Sequence, residues 1–473
     1  MLGFLARLLI LAACVSVSSA ALADGARDGC PAARADYRRL AAEAYVWGYP
    51  LIRSAQLRQN MTLPEDPLRA RPATTAGAPI NRLGHARELA TPETRQGVAP
   101  NNDTLYSLAW IDTAAGPFVF EAPDFGARYY TFQMGQADTS TDLAFGQSTH
   151  GAQLPPIFIL GAGQDHRVPP GMIGVRATQR YFMLAGRTLV KDRADVAEVW
   201  RLQDMMRLRT WADYRAGHEK AAQITAQQPI ERRDPPADDP EGFLGMMGSV
   251  LADWRATGGD RRFLRSLAPL GLAQGRLFDP RCLPPAALPQ IALGLREGRA
   301  AIEQRTRDLG TSINGWTVNH RGSQFGADRL LRAAVAMDQI YVLPAREALY
   351  MIAKSDSRGR QLDGNRSYVL RFEAGKLPPA GAFWSATIYY AKGFLVANPI
   401  GRHSIGDRTP GLVRGADGSI EIRLQHAAPA DSGANWLPVP SEPFTVMLRL
   451  YRPGEDVMTR KWLPPAIVEV PAD

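Results

Sequence analysis

The chain has 473 residues, 45% of them hydrophobic and 22% charged, with a formal net charge of +8. That length favours two domains over one, and that composition excludes wholesale disorder. The positive surplus is carried mainly by arginines scattered along the chain, with no basic stripe and no recognisable module, so the sequence argues against nucleic acid as a partner.

Arg7 opens a positively charged start, Leu8 to Val17 form a short apolar run, and Ala21-Leu22-Ala23 places small residues where a signal peptidase reads. This pattern predicts a signal peptide over residues 1–23, cleavage before Asp24, and a periplasmic or secreted protein. The apolar run is shorter than the roughly 20 residues a membrane span needs, and no later stretch is long and apolar enough, so no integral membrane segment is expected. Leu11-Ala12-Ala13-Cys14 resembles a lipidation site, but it leaves only a short apolar stretch after Arg7 and is the weaker reading. Cleavage removes Cys14 and leaves Cys30 and Cys282. A disulfide between them and two separately buried thiols stay equally open.

Residues 32–60 read as a helix, with Tyr37, Leu40, Ala44 and Tyr45 at helical spacing and a stop at Gly48-Tyr49-Pro50. From about residue 104 to 190 the pattern changes to short apolar segments cut by Gly, Pro and Asp: Thr104 to Ile111, Phe118 to Glu121, Tyr129 to Met134, Ile157 to Leu160 and Tyr181 to Ala185. Short strands at such spacing predict a first β domain. Helical patterns dominate about 191–310, and a last helix is expected over about 326–352. Strands return at Ser367 to Phe372, Ala382 to Tyr390, Ile420 to Leu424 and Phe444 to Tyr451. The expected fold is therefore α+β, mainly antiparallel β, with two sandwich or jelly-roll-like domains joined by helical segments. The division is 24–190 (helix plus first β domain), 191–352 (mainly helical) and 353–473 (second β domain). The two β regions could be distant duplicates, a question that strand pattern alone leaves open.

Pro100-Asn101-Asn102-Asp103-Thr104-Leu105-Tyr106 and Arg128-Tyr129-Tyr130 resemble the bacterial domain-of-unknown-function family numbered 1254. Leu362-Asp363-Gly364, Phe383-Trp384-Ser385, Asn435-Trp436-Leu437-Pro438 and Leu448-Arg449-Leu450-Tyr451-Arg452-Pro453 resemble its usual C-terminal companion, numbered 1214, as does the final Trp462-Leu463-Pro464-Pro465. The resemblance implies two β-rich domains on an exported protein. It implies no established reaction, substrate or cofactor, and the cofactor stays unknown. Tyr389-Tyr390 departs from the Tyr followed by Asp or Asn expected there.

Standard catalytic signatures are missing from the sequence. Gly401-Arg402-His403-Ser404-Ile405-Gly406 and Gly146-Gln147-Ser148-Thr149-His150-Gly151 mis-space the serine of a hydrolase elbow. Gly161-Ala162-Gly163-Gln164-Asp165-His166 lacks the third glycine of a dinucleotide loop. The seven histidines are dispersed, with none paired at common zinc spacings, so no metal site is assigned.

What remains is a polar concentration among apolar strands. Asp103, Tyr129, Tyr130 and His403 are the candidate catalytic residues, and Asn101, Asn102, Tyr106, Asn435, Trp436 and Arg449 the candidate ligand contacts. Each has a structural alternative. Asn and Asp before a strand brace turns; a tryptophan beside a proline turn plugs a sandwich end; an arginine inside an apolar strand demands a partner. Tyr129 and Tyr130, being adjacent in a strand, must face opposite sides. Two functional classes stay open: an enzyme or binder acting on a small polar, carboxylated or sugar-like ligand, and a non-catalytic extracellular interaction or structural protein. A small-molecule or glycan partner fits the first, and a homo-oligomer stays open in both. The export reading has a direct check: mass spectrometry of the protein from its native envelope should find an N-terminus at Asp24, and a lipid-modified Cys14 would overturn it.

Overall fold

The computed structural model describes residues 35–471 except 65, 67, 96–98, 257 and 432. The expected signal peptide, Cys14 and Cys30 lie outside the described residues, and Cys282 closes the short 3-10 turn Pro280–Cys282.

Helix α1 spans Tyr37–Thr62 and is capped by Asp36, whose carboxylate accepts the Arg39 amide at 3.1 Å. The sequence suggested a stop at Pro50, yet the helix runs through it. Proline in a helix interior removes one hydrogen bond and costs about 3 kcal/mol. Burial on both sides outweighs that cost, because Tyr45, Trp47, Leu51 and Ile52 are fully or almost fully buried and each such side chain contributes roughly 1.5–3 kcal/mol. Helices α2 (Pro240–Ala252), α3 (Leu288–Thr306) and α4 (Arg329–Asp338) join α1 in one apolar cluster. Two glycines one turn apart set the α1–α3 approach: a Cβ on Gly294 would lie 2.0 Å from the Arg38 carbonyl, and one on Gly298 would lie 2.8 Å from that of Ala42. Among the described residues no helix is long and apolar enough to cross a membrane.

The first β domain contains β1 (Thr104–Asp112), β2 (Phe118–Glu121), β3 (Tyr130–Gly135), β4 (Thr141–Gly146), β5 (Ile157–Leu160), β6 (Ile173–Arg176), β7 (Tyr181–Leu189) and β8 (Arg207–Thr210). The second contains β9 (Ala348–Ala353), β10 (Ser367–Phe372), β11 (Ala380–Tyr390), β12 (Ser404–Gly406), β13 (Ile420–Gln425), β14 (Asn435–Pro438), β15 (Phe444–Pro453) and β16 (Ile467–Val470). Each domain is two sheets packed face to face around one core. The fold is α+β with antiparallel pairing dominant; β5–β6 and β13–β14 are the parallel pairs. Where the sequence suggested helix to residue 352, α4 ends at Asp338 and β9 begins at Ala348. Pro344 interrupts the helical run, and the short apolar stretch after it is claimed by pairing with β15.

The two domains repeat one topology. The first pairs β1-β7-β3-β4 in its larger sheet, which Gly84–His85 extends beyond β1, and β6-β5-β2-β8 in the other. The second pairs β9-β15-β11-β12 in its larger sheet, which Trp316–Val318 and Thr311–Ile313 extend beyond β9, and β14-β13-β10-β16 in the other. Over these eight strands of each domain the orders coincide, and so do the directions, including the parallel pair in each; the edge extensions differ. Residues follow. Asp103, Leu105, Tyr106, Ala109 and Asp112 in and before β1 correspond at one constant separation to Glu347, Leu349, Tyr350, Ala353 and Asp356. Asp112 and Asp356 even perform the same task, each accepting the amide two residues on, at 3.0 and 2.9 Å.

In the sandwich cores lie Tyr130, Phe132 and Met134 of β3, and Trp384, Ala386 and Ile388 of β11. The opposite face of each larger sheet is also buried, where Tyr129, Leu189, Phe383 and Tyr451 meet in one cluster between the domains. The α1–α3 crossing supplies a test. Gly294→Ala should lower the urea midpoint by an amount equivalent to about 1–3 kcal/mol, the usual range for overpacking.

Candidate functional site

A cavity of about 220 Å³ lies between the two larger sheets and the segment after α4. It exceeds the roughly 150 Å³ apolar cavity known to admit a benzene-sized guest. Leu57 and Met61 of α1, Leu108 of β1, Met183 and Ala185 of β7 and Met447 of β15 give it apolar walls. Its polar lining includes Asn101, Tyr106, Gln133, Arg187, Tyr350 and Arg449.

Strand register explains how the polar groups converge. On β7, Arg187 lies between Tyr106 of β1 and Thr131 of β3. On β15, Arg449 lies between Tyr350 of β9 and Ser385 of β11. The Arg187 guanidinium donates to Tyr106 Oη at 3.3 Å through Nε and to Gln133 Oε1 at 2.7 Å through Nη1. Arg449 donates to Thr387 Oγ1 at 2.9 Å through Nη1, and to Ala99 O at 3.0 Å and Tyr389 Oη at 2.6 Å through Nη2. Both arginines are buried, at 8% and 2% exposure, and neither has a carboxylate within ion-pair distance among the described residues. Burial opposes the charge on each. The neighbouring phenols, with Asp103 beside Arg449, outweigh it and hold both pKa values above the ordinary arginine value.

One acid, the exposed Glu88, lines the cavity; the buried acids at this interface are engaged elsewhere. Asp103 accepts from Ser385 Oγ at 2.6 Å and pairs with Arg408 at 3.2 Å. Glu347 accepts from Tyr129 Oη at 2.6 Å and from Ser148 Oγ. Phenols around the cavity stay protonated, because burial raises the pKa of Tyr341, Tyr350 and Tyr451 above the usual value. Three non-glycine residues in the wall hold positive φ: Ala99 at 47°, Ile340 at 42° and Tyr341 at 51°. Such conformations concentrate at functional sites.

Among the residues singled out in the sequence, Asn101, Tyr106 and Arg449 line the cavity. Asn101 also braces its own turn, accepting the Asp103 and Thr104 amides while donating to Tyr451 Oη. Asp103 and Tyr129 are buried at the domain interface, outside the lining, in the pairings given above. The other candidates do not line it, and most are held in structural bonds. Asn102 donates to Ala90 O at 2.6 Å. Tyr130 stacks on Phe125 at 4.0 Å inside the first sandwich. Asn435 clasps the backbone of Val413 and Glu421, and Trp436 Nε1 donates to Gln425 O at 2.9 Å. His403 Nδ1 lies 3.0 Å from Val396 O, its pKa lowered chiefly by burial. Cys30 lies outside the described residues.

Arg187, Tyr350 and Gln133 escaped the sequence reading. The signal for Arg187 was present, since Gly186-Arg187-Thr188 interrupts an apolar strand just as Arg449 does. Tyr350 was hidden by the assignment of its segment to a helix.

Residues 80–210 match the family described as "Protein of unknown function (DUF1254)", and residues 347–455 match "Protein of unknown function (DUF1214)". Arg187 falls in the first match, Tyr350 and Arg449 in the second. No curated protein is matched by the sequence. Among solved structures, the VPA0106 protein from Vibrio parahaemolyticus is 25% identical, with a TM-score of 0.67 over 92% of this chain and 100% of that one. An uncharacterized protein from Burkholderia cenocepacia is 12% identical, with a TM-score of 0.42 over 92% of this chain and 94% of that one.

His85, one residue from the cavity wall at Ala86, gives the site region a pH signature. Its Nδ1 lies 2.9 Å from Ser107 Oγ, and burial, with Arg87 nearby, lowers its pKa from 6.5 to about 4. Unfolded, the ring binds its proton near 6.5. Its contribution to stability is therefore complete above that pH and is lost as pH falls through about 4. The full linkage is roughly 3 kcal/mol, less for a ring that water partly reaches. Urea unfolding at several pH values between 7.5 and 4 should show this loss, and His85→Gln should make the slope shallower.

Proposed function

We propose that this chain, which carries a DUF1254 domain followed by a DUF1214 domain, is an exported binding protein for a small carboxylated ligand held in the cavity between its two β domains. One observation carries the reading: Arg187 and Arg449 are buried, lack carboxylate partners among the described residues, and line the same cavity. A buried guanidinium without a counter-charge is costly, and a ligand carboxylate would offset that cost through paired hydrogen bonds. The apolar walls suit a ligand with a hydrocarbon body, and Tyr106 and Tyr350 could donate to hydroxyls or to the carboxylate itself. Export rests on Arg7, the apolar run after it and Ala21-Leu22-Ala23.

Binding is favoured over proton abstraction. A general base works best with a pKa near the ambient pH. Burial pushes Tyr129 well above its usual value, with Glu347 adding to the effect, and it raises Tyr350 and Tyr451 as well. These phenols are donors at neutral pH.

Thermal-shift measurements on the mature chain test the reading, using butyrate, benzoate and glucuronate beside the matched amides butyramide, benzamide and glucuronamide. At least one carboxylate should raise Tm where its amide does not, and Arg449→Met should remove the shift. Equal responses to acids and amides would overturn it.

A further inference from the structure

The topological repeat extends into the cavity. Tyr106, Arg187 and Thr131 form one cross-strand row on β1, β7 and β3; Tyr350, Arg449 and Ser385 form the equivalent row on β9, β15 and β11. The match continues one step along the third strand of each row. Gln133, two residues beyond Thr131, accepts from Arg187 Nη1, and Thr387, two residues beyond Ser385, accepts from Arg449 Nη1. The positions before each row match too: Tyr129 and Phe383 meet edge to face at 5.4 Å, where the two sheets come together.

The cavity is thus lined by two half-sites of one design, each offering a guanidinium and a phenol. Tyr350 and Tyr451 of the second domain lie within electrostatic reach of the Arg187 guanidinium. Arg187 and Arg449 both line this one cavity of about 220 Å³. One monovalent anion in that space would leave one of them without a ligand counter-charge.

Resting on the binding reading above, we infer that the ligand carries two anionic groups, one for each half-site, joined by a short apolar linker: a small dicarboxylate. Apolar residues such as Leu108, Met183 and Met447 face the linker, and the two arginines face its ends. The cavity volume limits the linker to a few carbons.

Isothermal titration of the mature chain decides this, using the linear dicarboxylates from succinate to suberate beside the monocarboxylates of equal carbon number, with inorganic phosphate as a further arm. At least one dicarboxylate should bind ten-fold or more tightly than its monocarboxylate. Arg187→Met and Arg449→Met should each erase that preference. If a methionine variant fails to fold, Arg187→Lys and Arg449→Lys keep the charge without the forked geometry, and each should weaken the dicarboxylate more than the monocarboxylate. Equal affinity for both acid series, with only one arginine mattering, would overturn the two-ended ligand and leave a single-anion site standing. Phosphate binding ten-fold tighter than every dicarboxylate would overturn it also. Binding of no carboxylate at all would sink the underlying reading as well.

Discussion

A guanidinium removed from water must recover several kcal/mol from its surroundings, and a protein core ordinarily supplies a carboxylate for this. This chain follows that habit at Arg128, which pairs with Asp195, and at Arg332, which pairs with Asp138 at 2.6 Å. Arg58 is stabilised instead by the Tyr181 ring, 3.5 Å below its guanidinium carbon. Arg187 and Arg449 depart from the habit together, at equivalent positions of two repeated sheets: their hydrogen-bond partners are neutral, and neither forms a direct ion pair among the described residues. The domain interface is organised around that departure.

The repeat explains how such an interface forms. In each sandwich the strand bearing the arginine is central in its sheet, so its outward face cannot stay exposed without leaving a broad apolar surface in water. The helices cover part of it, and the other domain covers the rest. Large rings fill the place where the sheets touch: Tyr129, Phe383 and Tyr451 pack within 5.4 Å of one another. Farther out, small residues such as Ala86, Ala90 and Ala185 replace them, and the space they leave is the cavity. Two equivalent acids act as struts across the join, Asp103 reaching Ser385 and Glu347 reaching Tyr129. A carboxylate tied across the interface in this way is not free to neutralise an arginine in the cavity.

Much of this architecture was legible in the sequence. The strands Phe118–Glu121, Ile157–Leu160 and Ser367–Phe372 are marked by β-branched and aromatic runs between turn residues, and they form where those runs lie. Arg449 stood out as a charge inside such a run. Less legible was anything set by pairing between distant segments. Ala348-Leu349-Tyr350-Met351-Ile352-Ala353 suits a helix or a strand equally, and only its partner β15 decides. The repeat was faint for the same reason. Its spacing differs between strand pairs because the connecting loops differ in length, so Tyr106 and Tyr350 share one separation while Arg187 and Arg449 share another. Asn435 and Trp436 looked like ligand groups because polar and aromatic residues at a turn serve bracing and binding alike. Their bonds to Val413, Glu421 and Gln425 are the bracing kind.

The cavity wall also stores strain, and the way it is held bears on affinity. A β-branched residue at positive φ, as Ile340 is, costs on the order of 1–3 kcal/mol and persists only where its surroundings fix it. Here they do. The Ile340 amide donates to Val335 O at 2.8 Å, which ties the segment to α4. Gln133 Nε2 donates to Tyr341 O at 2.8 Å, and the Tyr341 hydroxyl reaches Gln136 O and Ser54 Oγ at 2.8 and 2.7 Å. On the opposite wall the Ala99 amide donates to Gly393 O at 3.1 Å, while its carbonyl accepts from Arg449. Both walls are therefore positioned by the protein's own bonds, and Gln133 orients Arg187 with the same amide that fixes the strained segment. A ligand meeting such a site has little protein left to order, and that entropy is a large part of what binding ordinarily costs. The strain is better understood as preorganisation of the two guanidiniums than as an accident of the connection between α4 and β9.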